Sequence, residues 1–296
     1  QTFTEQTGIQ ATYVRLSSGE TVARLDSAKN SPEFDVWHGG PVDGYGTAAT
    51  KGLIEAYESP SAAKIPDKYK DADHKWTGVY VGVLGFCSNK TVLKKLGAEA
   101  PKSWDDLLNP AFKGQVSTAH PSTSGTAFTT LWTQNVRLGG QDQALDYMKK
   151  LHSNVLQYTK SGTAPGQIAG RGEVAVGLVF SHDCVKYQEE GMSDLQVSFP
   201  KEGTGYEVGG VALVAKSKHS EAAKKYIDWA ISADAQNIGQ TVGSYQIPTN
   251  PDAKISDKMV KLDDVTLVDY NFKAAAEAKP ALTKRFDEEI AAQPKE

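Results

Sequence analysis

Gly78-Val79-Tyr80-Val81-Gly82-Val83-Leu84-Gly85-Phe86-Cys87-Ser88 is a strand-like run whose apolar heart is interrupted by two glycines, Gly82 and Gly85. It is far shorter than the roughly 20 apolar residues a membrane-spanning helix needs. A second run of the same kind follows much later, Val208-Gly209-Gly210-Val211-Ala212-Leu213-Val214-Ala215. No Pro- or Ser-rich linker divides the chain. Two lobes without a linker require a chain that crosses between them more than once, and these long glycine-bearing strands are the natural crossings. A few residues in such strands can absorb a hinge rotation.

Outward from these runs, short apolar strands alternate with helices. Strands are expected at 11–16, 34–37, 115–119, 174–180 and 195–199. Helices are expected at 20–30, 44–57, 104–108, 126–137, 141–151, 221–231, 258–261 and 271–292. The alternation predicts an α/β fold with a largely parallel sheet. Residues 1–6 read as the end of a helix leading through Gly8-Ile9 into a strand. The expectation is therefore that the numbering begins inside a longer chain, with a first strand and an export signal upstream.

The 296 residues suffice for two domains, and 39% hydrophobic with 23% charged content suits a packed globular protein. A net charge of -4 gives no global attraction for nucleic acid. An anionic ligand would have to be drawn by local dipoles and donors. The two cysteines, Cys87 and Cys184, are too few for a disulfide scaffold. They read as buried free thiols, with a single bridge between them as the alternative.

One local chemistry recurs. Ser17-Ser18-Gly19-Glu20 ends a strand and opens a helix, and Ser122-Thr123-Ser124-Gly125-Thr126 does the same. Ser161-Gly162-Thr163-Ala164-Pro165 precedes a helical segment with proline in its first turn, where proline fits. N–H groups in a first helical turn have no internal partner and carry the positive end of the helix dipole. Glycine admits close approach, and hydroxyls add rotatable donors. Such a turn can hold phosphate or carboxylate without a lysine. Any one of them is equally what plain N-capping looks like. Ligands of open α/β sheets bind beyond the carboxyl ends of strands, and neither aspartate nor glutamate takes the cap position at these starts.

The apolar run 174–180 ends in Ser181-His182-Asp183-Cys184, and Glu207 follows Gly203-Thr204-Gly205-Tyr206 at the head of the second crossing strand. Histidine and carboxylates accept hydrogen bonds from hydroxyls but repel phosphate. They are placed to read the hydroxyl-bearing end of a ligand whose anionic end lies at the helix starts. Capping by His182-Asp183 and a solvated Glu207 are the plainer readings. Adjacent Ser181, His182 and Asp183 cannot stack as a catalytic triad. No nucleophile elbow, P-loop or zinc-protease motif is present, so no enzyme, metal or cofactor is expected.

Taken in order, several segments carry a resemblance. They are residues 16–20 (Leu-Ser-Ser-Gly-Glu), 35–40 (Asp-Val-Trp-His-Gly-Gly), 81–86, 121–127, 157–165, 203–210 (Gly-Thr-Gly-Tyr-Glu-Val-Gly-Gly) and 261–265. The chain resembles the type II periplasmic substrate-binding proteins of ABC importers, in the ferric-iron-type branch. It is most similar to the hexose-phosphate-binding members.

The resemblance implies a two-lobed type II fold, each lobe a mixed sheet flanked by helices, with a ligand cleft between them. The expected lobes are 1–82 with 208–260 and 88–206 with 261–296, hinged near 78–88 and 206–215. The implied solute is a sugar phosphate of the hexose 6-phosphate type, with a phosphonate, another organophosphate or ferric ion as the alternative. The matching positions assign His182, Asp183 and Glu207 to sugar hydroxyls, and Ser17, Ser18, Gly19, Ser124, Gly125, Thr126, Ser161 and Gly162 to phosphate. His38 and Gly39 border the cleft, His38 standing where those members tend to have tyrosine. His120 stands where an aspartate usually precedes the proline. The iron-binding members use adjacent tyrosines, whereas residues 243–246 here hold only Tyr245. The resemblance also implies a monomer, exported to the periplasm, whose partners are the importer's membrane subunits.

Overall fold

The computed structural model describes residues 1–295; Glu296, the last residue of the expected second lobe, lies outside them. Nine strands form: β1 Val36–Pro41, β2 Ile54–Glu55, β3 Thr77–Asn89, β4 Val116–Ala119, β5 Val155–Thr159, β6 Val176–Phe180, β7 Leu195–Ser198, β8 Tyr206–Val214 and β9 Ile247–Pro248. The α-helices are α1 Thr2–Thr7, α2 Ser18–Ser27, α3 Val42–Thr50, α4 Lys90–Leu96, α5 Gly125–Leu138, α6 Gln141–His152, α7 Ala164–Gly170, α8 Ser181–Glu189, α9 Ser220–Ile231, α10 Ala233–Thr241 and α11 Phe272–Phe286.

The molecule is a two-lobed α/β protein of mixed strand direction. The sheet path runs β1-β8-β3-β6-β4-β5. Only β4–β5 and β4–β6 pair in parallel; the other pairs are antiparallel. The largely parallel sheet expected from the alternation of elements is thus corrected. Strand β3 runs back against both β8 and β6, a reversal that alternation alone does not reveal.

Strand β3 divides its hydrogen bonds. Thr77–Val83 pair with β8, and Leu84–Asn89 pair with β6 and β7. The buried apolar side chains separate accordingly. Leu25, Trp37, Tyr45, Val81, Val211 and Ile227 share one core, and Leu84, Phe86, Trp104, Phe128, Leu178 and Phe286 share another.

Three local expectations are corrected. Residues 11–16 form no strand. Nothing hydrogen-bonds their backbone, and Tyr13 is 92% and Val14 57% exposed. A strand exists only where a neighbour takes up its ladder groups. Residues 258–261 form no helix: a single turn over 256–259 is closed by the Met259 N–H on the Ser256 carbonyl and does not propagate. The helix expected over 44–57 ends at Thr50. Gly52, at φ 68°, turns the chain out, and Ile54-Glu55 join β8.

Cys87 and Cys184 form a disulfide, which corrects the reading of two free thiols. Helix α8 packs across β3 and brings the two Cα atoms to 5.6 Å, a proximity hidden by a separation of 97 residues. The bridge pins the first turn of α8, which carries His182 and Asp183.

A second tie joins the two cores. Asp43 on α3 is fully buried and accepts from Lys279 Nζ on α11 at 2.9 Å. The Tyr270 hydroxyl donates to its other oxygen at 3.5 Å. Lys279 also lies over the Phe128 ring at 4.7 Å. Gly46 lets α11 approach, since a Cβ there would meet the Ala276 Cβ at 2.5 Å. Removing one member of a buried pair strands the other charge, at a cost of about 3–5 kcal/mol. Lys279→Met is expected to lose stability of that order in urea unfolding, and Asp43→Asn added to it to restore most of the loss; a neutral single variant would contradict this. Loss of the bridge in Cys87→Ala/Cys184→Ala is expected to cost about 4.7 kcal/mol by the loop-closure argument, read by the same assay.

Candidate functional site

The helix starts singled out in the sequence converge. The Gly19 N–H donates to the Thr123 carbonyl at 2.9 Å, and the Thr123 hydroxyl to the Lys160 carbonyl at 2.9 Å. A Cβ on Gly125 would lie 2.9 Å from the Ser18 hydroxyl oxygen. One on Gly162 would lie 2.2 Å from that of Thr126 and 2.7 Å from that of Ser124. Glycine at these positions is what lets the three segments meet.

Their donors are not equally free. The Ser17 N–H is taken by the Glu20 carboxylate at 3.1 Å, and Gly19 by Thr123. Glu20 thus reaches back to the α2 start although no acid occupies the cap position, and Lys160 neutralises it. Ser124 accepts from the Ala127 N–H at 3.3 Å, an ordinary cap. Ser161 bonds to Thr163. The Ser18, Gly125, Thr126 and Gly162 N–H groups and the Thr126 hydroxyl have no partner among the described residues. They form a nest of donors at the positive ends of α2 and α5 and just ahead of α7.

The other group assembles over Gly82. The β3–β8 register sets Glu207 opposite Gly82, and the β3–β6 register sets Phe180 opposite Leu84, with His182 just beyond. A Cβ on Gly82 would meet His182 Cε1 at 2.7 Å and Glu207 Oε1 at 2.8 Å. His182 Nε2 stands 3.9 Å from both Asp183 Oδ2 and Glu207 Oε1. Its Nδ1 is buried without a partner among the described residues. Glu207 is 2% exposed, and no hydrogen-bond donor among the described residues reaches its carboxylate. Glu207 and Asp183 thus lack a side-chain donor among the described residues, whereas Gln246 Nε2 lies 3.5 Å from His182 Nε2.

Tyr80 and Arg15 went unnoticed in the sequence. The Tyr80 hydroxyl accepts from the Gly40 N–H at 2.9 Å, its ring centroid is 6.2 Å from that of His182, and Gly40 abuts Ser18. It therefore links the two groups. The signal for Tyr80 was its place two residues before Gly82 on the crossing strand. Arg15 extends from the unpaired segment to Thr163, 3.4 Å away, within the electrostatic reach of Asp183. Nothing in the spacing marks it. Gly39 and Gly40 carry left-handed φ values of 89° and 83° that turn β1 toward α3. His38 is exposed and bonds to the Tyr226 hydroxyl. His120 bonds to Ser122 and lies 3.3 Å from Asp287, outside the donor nest. Two surface cavities, of about 580 and 640 Å³, are lined by other residues, Lys149, His152, Glu288 and Gln293 among them in one and Tyr57, Pro60, His74 and Trp76 in the other. No helix among the described residues is long and apolar enough to cross a membrane.

Burial governs the charges. It pushes Glu207 well above the usual carboxylate range, reinforced by the negative Asp183 and Asp43. It also raises Asp183, opposed by His182, Arg15 and Lys186. It lowers His182, favouring the neutral ring.

The family model described as bacterial extracellular solute-binding protein matches residues 1–266. The chain is similar to AfuA of Actinobacillus pleuropneumoniae, a periplasmic binding protein solved with fructose-6-phosphate. The TM-score is 0.95 at 38% identity, covering 99% of this chain and 93% of that one. It is similar to the periplasmic binding protein P5PA, with a TM-score of 0.91 at 33% identity, covering 98% and 93%. A Salmonella typhimurium periplasmic protein named for 2-aminoethylphosphonate binding is 27% identical over 267 residues, 88% of this chain and 75% of that one.

A carboxyl raised on folding contributes stability that is complete below its ordinary value, 4.5 for Glu207, and lost as pH climbs through its folded value. Glu207→Gln is therefore expected to raise the melting temperature of the ligand-free protein, by a margin that opens above pH 4.5 and widens toward neutrality. Parallel melting curves of parent and variant across pH 4–8 test it; a constant margin would contradict the raised value.

Proposed function

The chain belongs to the bacterial extracellular solute-binding protein family, and on that footing we propose that it captures a sugar phosphate of the hexose 6-phosphate type between its lobes for an ABC importer. The observation that carries this is the polarity of the site. Partnerless N–H groups of Ser18, Gly125, Thr126 and Gly162 lie at one end, and the acceptors His182, Asp183 and Glu207 at the other. A phosphate takes the first set at the helix ends, where dipole and amide hydrogen bonds act together. Hydroxyls of the sugar donate to the second.

The likeness to AfuA, solved with fructose-6-phosphate, supports the same class of solute. A micromolar affinity requires about 8 kcal/mol. A few charge-assisted hydrogen bonds of roughly 1.5–3 kcal/mol each supply it after ordering costs.

In this reading the lobes are 1–82 with 208–260 and 88–206 with 261–296. They hinge in β3 near 78–88 and in β8 near 206–215. The closed monomer docks on the importer's membrane subunits from the periplasm. Turnover of the solute forms no part of this role, which is capture and delivery.

Calorimetry with glucose 6-phosphate and fructose 6-phosphate tests the proposal. Asp183→Ala and Glu207→Ala should each weaken binding at least tenfold, about 1.4 kcal/mol, with circular dichroism unchanged. Unaltered affinity in both rejects the assigned roles. A melting temperature raised by 2-aminoethylphosphonate and unmoved by millimolar hexose 6-phosphate rejects the solute class.

A further inference from the structure

We propose that the Tyr80 hydroxyl donates its proton to the bridging ester oxygen of the bound solute, so that the site prefers a phosphate monoester of a sugar to the phosphonate of the same shape. The inference rests on the sugar-phosphate reading above and narrows it.

The place of Tyr80 is shaped from both sides of β8. From Gly78 to Tyr80, β3 advances two residues while β8 moves only from Gly210 to Gly209. Across β8, β1 advances three residues from His38 to Pro41 while β8 advances two, from Val211 to Gly209. Two irregularities of pairing thus flank the same glycines, and a bulge re-aims the side chain beside it. The Tyr80 ring covers Gly209, where a Cβ would stand 2.0 Å from its Cζ. Every other residue of β3 is buried; Tyr80 alone is half-buried.

The hydroxyl at the tip of the ring is used on one side only. It accepts the Gly40 N–H at 2.9 Å, and its own proton has no acceptor among the described residues. A hydroxyl that accepts one hydrogen bond is polarised to donate another. Desolvation, reinforced by the negative Glu207, holds the phenol well above its ordinary range, so the proton stays available.

The surroundings of that hydroxyl point to its acceptor. Gly40, its partner, abuts Ser18 of the donor nest, since a Cβ there would lie 2.9 Å from the Ser18 hydroxyl oxygen. The Tyr80 ring in turn meets His182 of the acceptor group edge to face, with centroids 6.2 Å apart. A donor between the two ends faces the atoms that join them. In a hexose 6-phosphate the joining atom is the ester oxygen, an acceptor. In the matching phosphonate it is a methylene carbon, which accepts nothing and leaves the enclosed donor unpaired. An unpaired buried donor costs more than a typical hydrogen bond contributes.

Calorimetry of the full chain at pH 8.5, where both probes are dianions, tests this with glucose 6-phosphate and its isosteric phosphonate, in which CH2 replaces the bridging oxygen. The parent is expected to bind the ester at least fivefold tighter. Tyr80→Phe is expected to abolish that preference by weakening the ester while leaving the phosphonate nearly unchanged. Gly209→Ala, which pushes the ring off its seat, is expected to lose the preference as well and supplies a second route should Tyr80→Phe fold poorly; ligand-free circular dichroism and melting monitor both. If the parent binds the two probes alike, the inference fails and the sugar-phosphate reading stands. If neither binds, both fail. A preference that survives in folded Tyr80→Phe, or equal losses for the two probes in that variant, overturns the role of Tyr80.

Discussion

Strand β3 carries 13 residues, and every backbone polar group along it must find a partner because the strand is buried nearly throughout. It meets that requirement with two different sets of neighbours, β8 for its first half and β6 with β7 for its second. At the changeover the chain passes from one hydrophobic core to the other. The acceptor side of the site lies at this place. Glu207 is set by the register of one pairing and His182 by that of the other, so both reach the same glycine, Gly82. A shift of either register by one residue would turn the side chain it governs to the opposite face.

The donor side depends on a different constraint. Helix starts are ordinarily satisfied by their own caps or by water. Here Ser124 caps α5 and Glu20 reaches back to α2 in the usual manner, yet the Ser18, Gly125, Thr126 and Gly162 N–H groups remain without a partner among the described residues. Close approach at Gly125 and Gly162 brings the starts together, and the Gly19–Thr123 bond holds two of them in register. In the proposed reading the anion takes the N–H groups that the caps leave unused.

Two covalent or ionic ties keep these parts in place. The Cys87–Cys184 bridge anchors the turn that presents His182 and Asp183 to the strand beneath it. The Asp43–Lys279 pair fixes α3 to α11, and thereby one core to the other. Neither tie touches the donor nest or supplies a partner to Glu207.

The sequence by itself determined the elements whose cause is local. Glycine-bearing apolar runs marked the two crossing strands, the serine–glycine turns marked the helix starts, and the strand ending in His182-Asp183 marked a site, because propensity, capping and apolar patterning act over a few residues. The family resemblance, spread over seven segments, pointed to the fold these elements make. Only the tertiary structure decided what depends on distant partners. The segment 11–16 has strand composition but no neighbour to pair with. The cysteines 97 residues apart meet because α8 crosses β3. The sheet is mixed because β3 runs against both its neighbours. Tyr80 and Arg15 belong to the same class, since burial and electrostatic contact arise from residues that the chain brings together only when it is folded.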